Sequence, residues 1–277
     1  MRRSFLGVAL GLIMVSAGTV AGCTPGNDQA DQPTCRLVTP PSLAGPTAAG
    51  GVKVVEQGYT TVPPDRVQNS TNFPRVSIGA VLENTSNQVA YRTRVTFDAY
   101  DTAGRSVVSG PQVDYRTIEV PIMVPGAKLS VGNTVVADQR STVAKVSVAP
   151  TVSGWLPPGD ASNGLAPITA MTVNAGERKA DGSAILSFTT RGQNCANLLS
   201  RGTTFAWRDA TGKLVGGNTD GQTKQSACQT GGEAKPLTAM SQENTVPATA
   251  DIAKTQVSAL CDVARAPGVI SSGQPIN

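Results

Sequence analysis

Two stretches of regular alternation set the reading of this chain. Val76, Ile78, Ala80 and Leu82 alternate with Ser77, Gly79, Val81 and Glu83. Tyr91, Thr93, Val95, Phe97 and Ala99 alternate with Arg92, Arg94, Thr96, Asp98 and Tyr100. A period of two is what a β-strand with one buried face requires. Asp101-Thr102-Ala103-Gly104 closes the second stretch as a turn, with the Asp carboxylate accepting backbone N–H groups and Gly supplying a positive φ. A return strand is expected at Ser106–Ser109. Further strands are expected at Arg116–Met123 and Thr142–Val148, on either side of a turn at Val124-Pro125-Gly126. No long window carries a 3.6-residue apolar stripe, so the predicted class is all-β.

The stretch from Phe97 to Gly104 has an echo from Phe205 to Gly212. Both read Phe-x-x-x-Asp-x-x-Gly followed by a basic residue, Arg105 or Lys213. Phe97, Asp101 and Gly104, with Phe205, Asp209 and Gly212, therefore mark one hairpin used twice, once in each of two similar domains. Ala184-Ile185-Leu186 echoes Ala80-Val81-Leu82. Ala250-Asp251 with Thr255 echoes Ala137-Asp138 with Thr142, which puts Cys261 at the place of Val148. The expected organisation is a first β domain over 51–153, a Pro/Gly-rich linker over 154–167, a second β domain over 168–265 and a loose tail over 266–277. Trp155 in the linker reads either as an aromatic plug at the junction or as an exposed residue on which a ligand stacks. Gly216-Gly217 and Gly231-Gly232 read as turns.

Phe97-Asp98-Ala99-Tyr100-Asp101, preceded by Gly79-Ala80-Val81-Leu82-Glu83-Asn84 and followed by Val124-Pro125-Gly126, resembles the FxLYD domain. That family is an immunoglobulin-like β-sandwich common in prokaryotic envelope lipoproteins. Ala99 stands where the family has Leu; in the second copy Phe205 and Asp209 match, while Trp207 and Arg208 replace Leu and Tyr. The second half equally resembles the Ig-like domains of the actinobacterial immunoprotective-antigen type. The resemblance implies two tandem Ig-like β-sandwiches in an extracytoplasmic setting. Its motif is structural and carries no catalytic residues.

The N-terminus gives the compartment. Met1-Arg2-Arg3, an apolar run from Phe5 to Ala17, and Val20-Ala21-Gly22-Cys23 make a leader over 1–22, too short to be a stable span. A Cys directly after Val-Ala-Gly resembles the lipobox of bacterial lipoproteins, which implies diacylglycerol on Cys23, a membrane attached through that anchor, and an exported protein held on the outer face of the cell membrane. Arg2-Arg3-Ser4-Phe5-Leu6 fits a twin-arginine export signal or an ordinary basic leader. Residues 23–50, rich in Thr, Pro, Gly and Ala, read as a flexible tether, with Cys35 as the point where it is pinned to the body.

Charge and residue types then narrow the function. The chain has 23 basic and 19 acidic residues and no histidine. The charges are scattered singly, without a basic run to follow a nucleic-acid backbone, so no nucleic-acid partner is expected. Absence of histidine excludes Ser-His-Asp and Cys-His nucleophiles and histidine-ligated metals. No serine has lysine three residues on, as the Ser-x-x-Lys arrangement needs. Neither a metal nor a cofactor is expected. Paired carboxylates remain available, Asp98 with Asp101, or Glu233, Glu243 and Asp251, yet aromatic residues are only 4% of the chain and sugar subsites lean on aromatic platforms.

Beyond Cys23 the cysteines are Cys35, Cys195, Cys228 and Cys261, an even number that reads as two disulfides in an exported chain. Of three possible pairings, Cys195–Cys228 across the second hairpin with Cys35–Cys261 is favoured; a bridge of the first kind contributes roughly 3–4 kcal/mol by the loop-entropy estimate. The leading functional expectation is a non-catalytic envelope module that binds a protein or cell-wall partner. The alternative is a small-ligand or glycan-binding module using Trp155, Trp207 or Tyr115, and a histidine-free hydrolase built on carboxylates stands third.

Overall fold

The computed structural model of the protein describes residues 51–62, 73–157, 169–191, 198–220, 228, 235–242 and 245–263. The leader, the tether, the tail and the greater part of the linker lie outside them, as do Cys23, Cys35, Cys195, Glu233, Glu243 and Gly231-Gly232. Among the described residues the chain is all-β, with twelve strands in four three-stranded antiparallel sheets.

The strands are β1 (Val52–Val62), β2 (Arg75–Asn84), β3 (Val89–Tyr100), β4 (Thr117–Met123), β5 (Lys128–Val136) and β6 (Lys145–Leu156) in the first half. The second half has β7 (Thr169–Arg178), β8 (Ala184–Arg191), β9 (Leu199–Asp209), β10 (Leu214–Asp220), β11 (Lys235–Met240) and β12 (Ala250–Asp262). A 3-10 helix, η1 (Gly110–Arg116), lies between β3 and β4. The sheets order as β1-β2-β5 and β4-β3-β6, then as β7-β8-β11 and β10-β9-β12. Adding six to each strand number turns the first pair of sheets into the second. The repeat therefore extends beyond one hairpin to the whole connectivity.

Local chemistry explains the repeated turn. The Asp101 carboxylate accepts the N–H groups of Ala103 and Arg105, each at 2.9 Å, and Gly104 takes φ +79°. The Asp209 carboxylate accepts those of Thr211 and Lys213 at 2.9 and 3.0 Å, and Gly212 takes φ +90°. Glycine adopts this left-handed backbone without the clash that a Cβ brings. Inward from the turns, Phe97 and Phe205 are both fully buried.

After the first turn the chain departs from expectation. Ser106–Ser109 makes only isolated bridges, Tyr100 to Ser106 and Val108 to Ala137, and the partner strand of β3 is β4, reached through η1. β5 was not anticipated, although Leu129, Val131 and Val135 carry its alternation and it fills the interval after the Val124–Gly126 turn. The strand expected at Thr142–Val148 continues to Leu156, so Gly154, Trp155 and Leu156 belong to β6 rather than to a linker. The register also moves the repeat at its end. Val148 faces Phe97, but the residue facing Phe205 is Val257, because a break in register between Asp251 and Gln256 absorbs several residues of β12. Cys261 is thus not the counterpart of Val148.

The halves are stacked and share structure. Val76, Ile78, Ala80 and Leu82 enter the first core, while Ser77 and Gly79, on the other face of β2, are buried too. What covers them is β10. Gly58, Gly79 and Gly132 stand opposite one another on β1, β2 and β5, forming a glycine furrow across the sheet. The Leu214 carbonyl lies over Gly58, that of Gly216 over Gly79, and the Gly217 Cα over Gly132, so β10 runs along the furrow and across the strands beneath it. A Cβ at Gly79 would sit 2.1 Å from the Gly216 oxygen. Stacked sheets normally stand about 10 Å apart because side chains separate them; here backbone meets backbone. Gly216-Gly217 is consequently the middle of a strand and not a turn. Glycine inside a strand marks such a close approach of another backbone.

Candidate functional site

Three polar clusters and one mixed joint gather the chemistry-bearing residues. The first cluster lies on the outer face of β3. Asp98 accepts Arg116 Nη1 at 2.9 Å, Ser106 Oγ at 2.6 Å and the Ala99 N–H at 2.8 Å. Asp101 is held separately by its turn and by Arg105, whose Nη2 lies 2.8 Å away. Backbone donation from Arg105, ahead of the Arg105 guanidinium, holds the Asp101 carboxyl below its usual range. Asp209 is likewise lowered, chiefly by the Thr211 hydroxyl. Each carboxylate thus has its own partners, and Asp98 and Asp101 do not converge as a pair. Asp251 caps its own loop by accepting the Ala253 N–H at 3.0 Å.

The second cluster is the seam around the furrow. Ser77 Oγ donates to the Gly217 carbonyl at 2.9 Å and accepts the Gly217 N–H at 3.0 Å. Thr204 Oγ1 accepts the Gly132 N–H at 2.6 Å, and Thr60 Oγ1 donates to the Val215 carbonyl at 2.6 Å. At one end Arg208 donates to both Glu56 oxygens, at 2.7 and 2.6 Å, and to Gln256, which also accepts Ser130 Oγ. The Arg208 hydrogen bonds hold the Glu56 carboxyl below its ordinary 4.5. A depressed folded value means stability that is complete above 4.5 and is lost as pH falls through the folded value. Acid titration is therefore expected to loosen the seam below about pH 4.5, and Glu56→Gln to flatten that part of the stability–pH curve measured by urea unfolding. The contribution is modest, because Glu56 is partly exposed and screened by solvent.

The third cluster joins the halves at the far end of β3. Arg92 pairs with Glu119 at 2.8 Å, and Arg201 donates through Nε and Nη2 to Asp262 Oδ2 at 3.1 and 2.8 Å. Asp262 is 1% exposed, and its Oδ1 has no hydrogen-bond partner among the described residues. Burial first, then the Asp262 charge, pushes the Tyr91 phenol up to about 12. Beside this cluster lies an apolar joint in which Val89, Tyr91, Val124 and Leu156 of the first half pack with Leu198, Cys228, Ala259, Cys261 and Val263 of the second. Between Ala259 and Cys261 on β12, Leu260 enters the core of the first half.

Cys228 and Cys261 form a disulfide, with Cα atoms 5.6 Å apart. This overturns the favoured pairing of Cys195 with Cys228 and of Cys35 with Cys261. Pairing Cys195 with Cys228 requires β9 and β10 to be the neighbours that are bridged. Cys261 instead lies opposite Ser200, and the Leu198 N–H next to it donates to the Cys228 carbonyl at 2.9 Å, so β12 and Cys228 meet beside β9. Of the cysteines beyond Cys23, only Cys35 and Cys195 remain for each other. A non-reducing peptide map is expected to give a linked Cys35–Cys195 peptide alongside Cys228–Cys261; free thiol at both positions would leave a single bridge.

The three aromatic candidates for ligand contact fall in different places. Trp207 is 0% exposed and packs on Phe205 with ring centroids 5.6 Å apart, so it belongs to the second core. Trp155 is half-buried, its indole lying against Gly51 and the first core. Tyr115 on η1 is 55% exposed, next to exposed Val113, while its carbonyl accepts Asn133 Nδ2 at 2.9 Å. The structure does not bring the three together. Among the described residues no group of three His, Cys, Asp or Glu is placed to hold a metal ion, and no helix is long and apolar enough to cross a membrane. No protein-family model and no curated protein matches the chain.

Proposed function

We propose that this chain is a lipid-anchored cell-envelope protein whose two tandem Ig-like β-sandwiches, of the FxLYD kind, act as a non-catalytic binding or scaffold module for a protein or cell-wall partner. The observation that carries the reading is the repeated connectivity. Sheets β1-β2-β5 and β4-β3-β6 match strands A-B-E and C′-C-F of an immunoglobulin sandwich, and the second half repeats them. The buried carboxylates Asp98 and Asp262 each hold an arginine, which supports structural use of these charges. The glycine seam and the shared joint make the pair a stiff body, suited to presenting a surface at a distance from the membrane.

Strand addition is disfavoured at the edges formed by β6 and β11. Edge strands β6 and β11 carry Pro150 and Pro236, which remove an N–H that an added strand needs. Loops on a rigid scaffold are the more common carriers of recognition. The crossover from Ser106 to Arg116 is where the first half departs from the second, which turns directly from β9 into β10, and it exposes Val113 and Tyr115. The test places a photo-crosslinking residue at Tyr115 in intact cells, beside a Cys23→Ala variant. A discrete adduct and release of the variant from the membrane fraction are expected. Membrane retention of Cys23→Ala, or no adduct at Tyr115 or at Arg94 on the outer face of β3, would overturn the reading.

A further inference from the structure

We infer that the Cys228–Cys261 disulfide is a redox latch on the joint between the halves, so that its formation fixes strands of the first half although both cysteines belong to the second. Cys228 is wholly buried and Cys261 nearly so, and the residues they pack among include Val89, Tyr91 and Leu156 from β3 and β6. The neighbours of Cys261 extend its reach. Leu260 is seated in the first core, and Asp262 holds Arg201 while its charge bears on Tyr91. Three consecutive residues of β12 thus engage the first core, the bridge and the buried ion pair. A covalent link at the middle one restricts all three.

Latching is a two-electron oxidation. The two thiols lose two protons and two electrons to a disulfide-bearing oxidant, which is reduced to its dithiol, and one S–S bond forms. In a thiol-reducing environment the joint depends on packing and on the buried ion pair beside it. After transfer to an oxidising compartment it closes, and burial of both sulfurs then shields the bond from attack by thiolates.

The experiment is amide hydrogen exchange, read by mass spectrometry, on the full chain with the bridge intact and on a Cys228→Ala/Cys261→Ala variant. Exchange roughly tenfold faster or more is expected at Val89–Tyr91 of β3 and at the Leu156 end of β6, with β2 around Gly79 unchanged. If the variant does not accumulate folded, the oxidised chain is pulse-labelled during reduction with dithiothreitol. Loss of protection in β3 and β6 together with β12, while β2 around Gly79 stays protected, supports the latch; loss across the whole chain in one step overturns it. Faster exchange confined to β12 and the surroundings of Cys228, with β3 and β6 still protected, overturns it.

Discussion

Gly79→Ala is expected to destabilise the protein by about 3 kcal/mol or more, at the level of a severe overpacking defect, although it adds one methyl group. The methyl would lie 2.1 Å from the Gly216 carbonyl oxygen and 2.8 Å from its carbon. Both are backbone atoms of a paired strand, so no side chain can swing away. Relief requires β10 to lift from the furrow, which breaks the hydrogen bonds between Ser77 and Gly217 and strains those of Gly132 with Thr204. Gly104→Ala is the informative control. Gly104 has φ +79° with nothing within 4 Å of an added Cβ, so its cost is the backbone penalty of about 1–2 kcal/mol. Urea unfolding followed through the tryptophans checks both. If Gly79→Ala proves no more costly than Gly104→Ala, the two sheets are not in backbone contact.

Leu260→Ala is expected to cost about 2–5 kcal/mol and to be felt mainly in the half of the molecule to which Leu260 does not belong by sequence. The side chain is 6% exposed and lies in the cluster of Ile78, Leu82, Phe97 and Val131. Removing it leaves a cavity in the first core, since strands fixed by their own ladders collapse only partly around a void. Hydrogen exchange of β4 and β5, the first-half strands on which β12 packs, is the decisive readout. Faster exchange there, beyond that at β9, is the expected result; an effect limited to β9 and β12 would show that Leu260 does not support the first core. By the same contact, a chain truncated before β7 is expected to lose part of its core rather than to behave as a complete sandwich.

The two substitutions mark how far the sequence could be read. Strand β3 was legible from Thr93 onward: Thr93, Val95, Phe97 and Ala99 are buried and Arg94 is exposed. Arg92 takes φ +52° and the alternation breaks there, so that Ala90 enters the first core and Tyr91 packs in the joint with the second half. The hairpin turns were legible, since Asp101 and Gly104 act on residues within four positions. β2 was read as a strand with Ser77 and Gly79 facing outward, which is right for the strand and wrong for its surroundings. Gly216-Gly217 was read as a turn because glycine pairs commonly make turns; here they serve a neighbour 140 positions away. The disulfide failed in the same manner. Its choice depended on which strand follows β10 into the sheet with β9, and β12 is reached only after β11 has paired elsewhere. Trp207 was offered to a ligand and is taken by the core.

By itself, then, the sequence determined the all-β class, most of the alternation of the long strands and the repeated Phe-x-x-x-Asp-x-x-Gly turn. Each follows from interactions between near neighbours along the chain, where spacing alone fixes geometry. Only the tertiary structure decided that the halves meet along a glycine furrow, that Leu260 completes a core begun by other strands, and that Cys228 bonds to Cys261. Those outcomes rest on the approach of segments far apart in the chain. A missing side chain, as at Gly58, Gly79 and Gly132, leaves no periodic mark until the backbone that fills the space is in place.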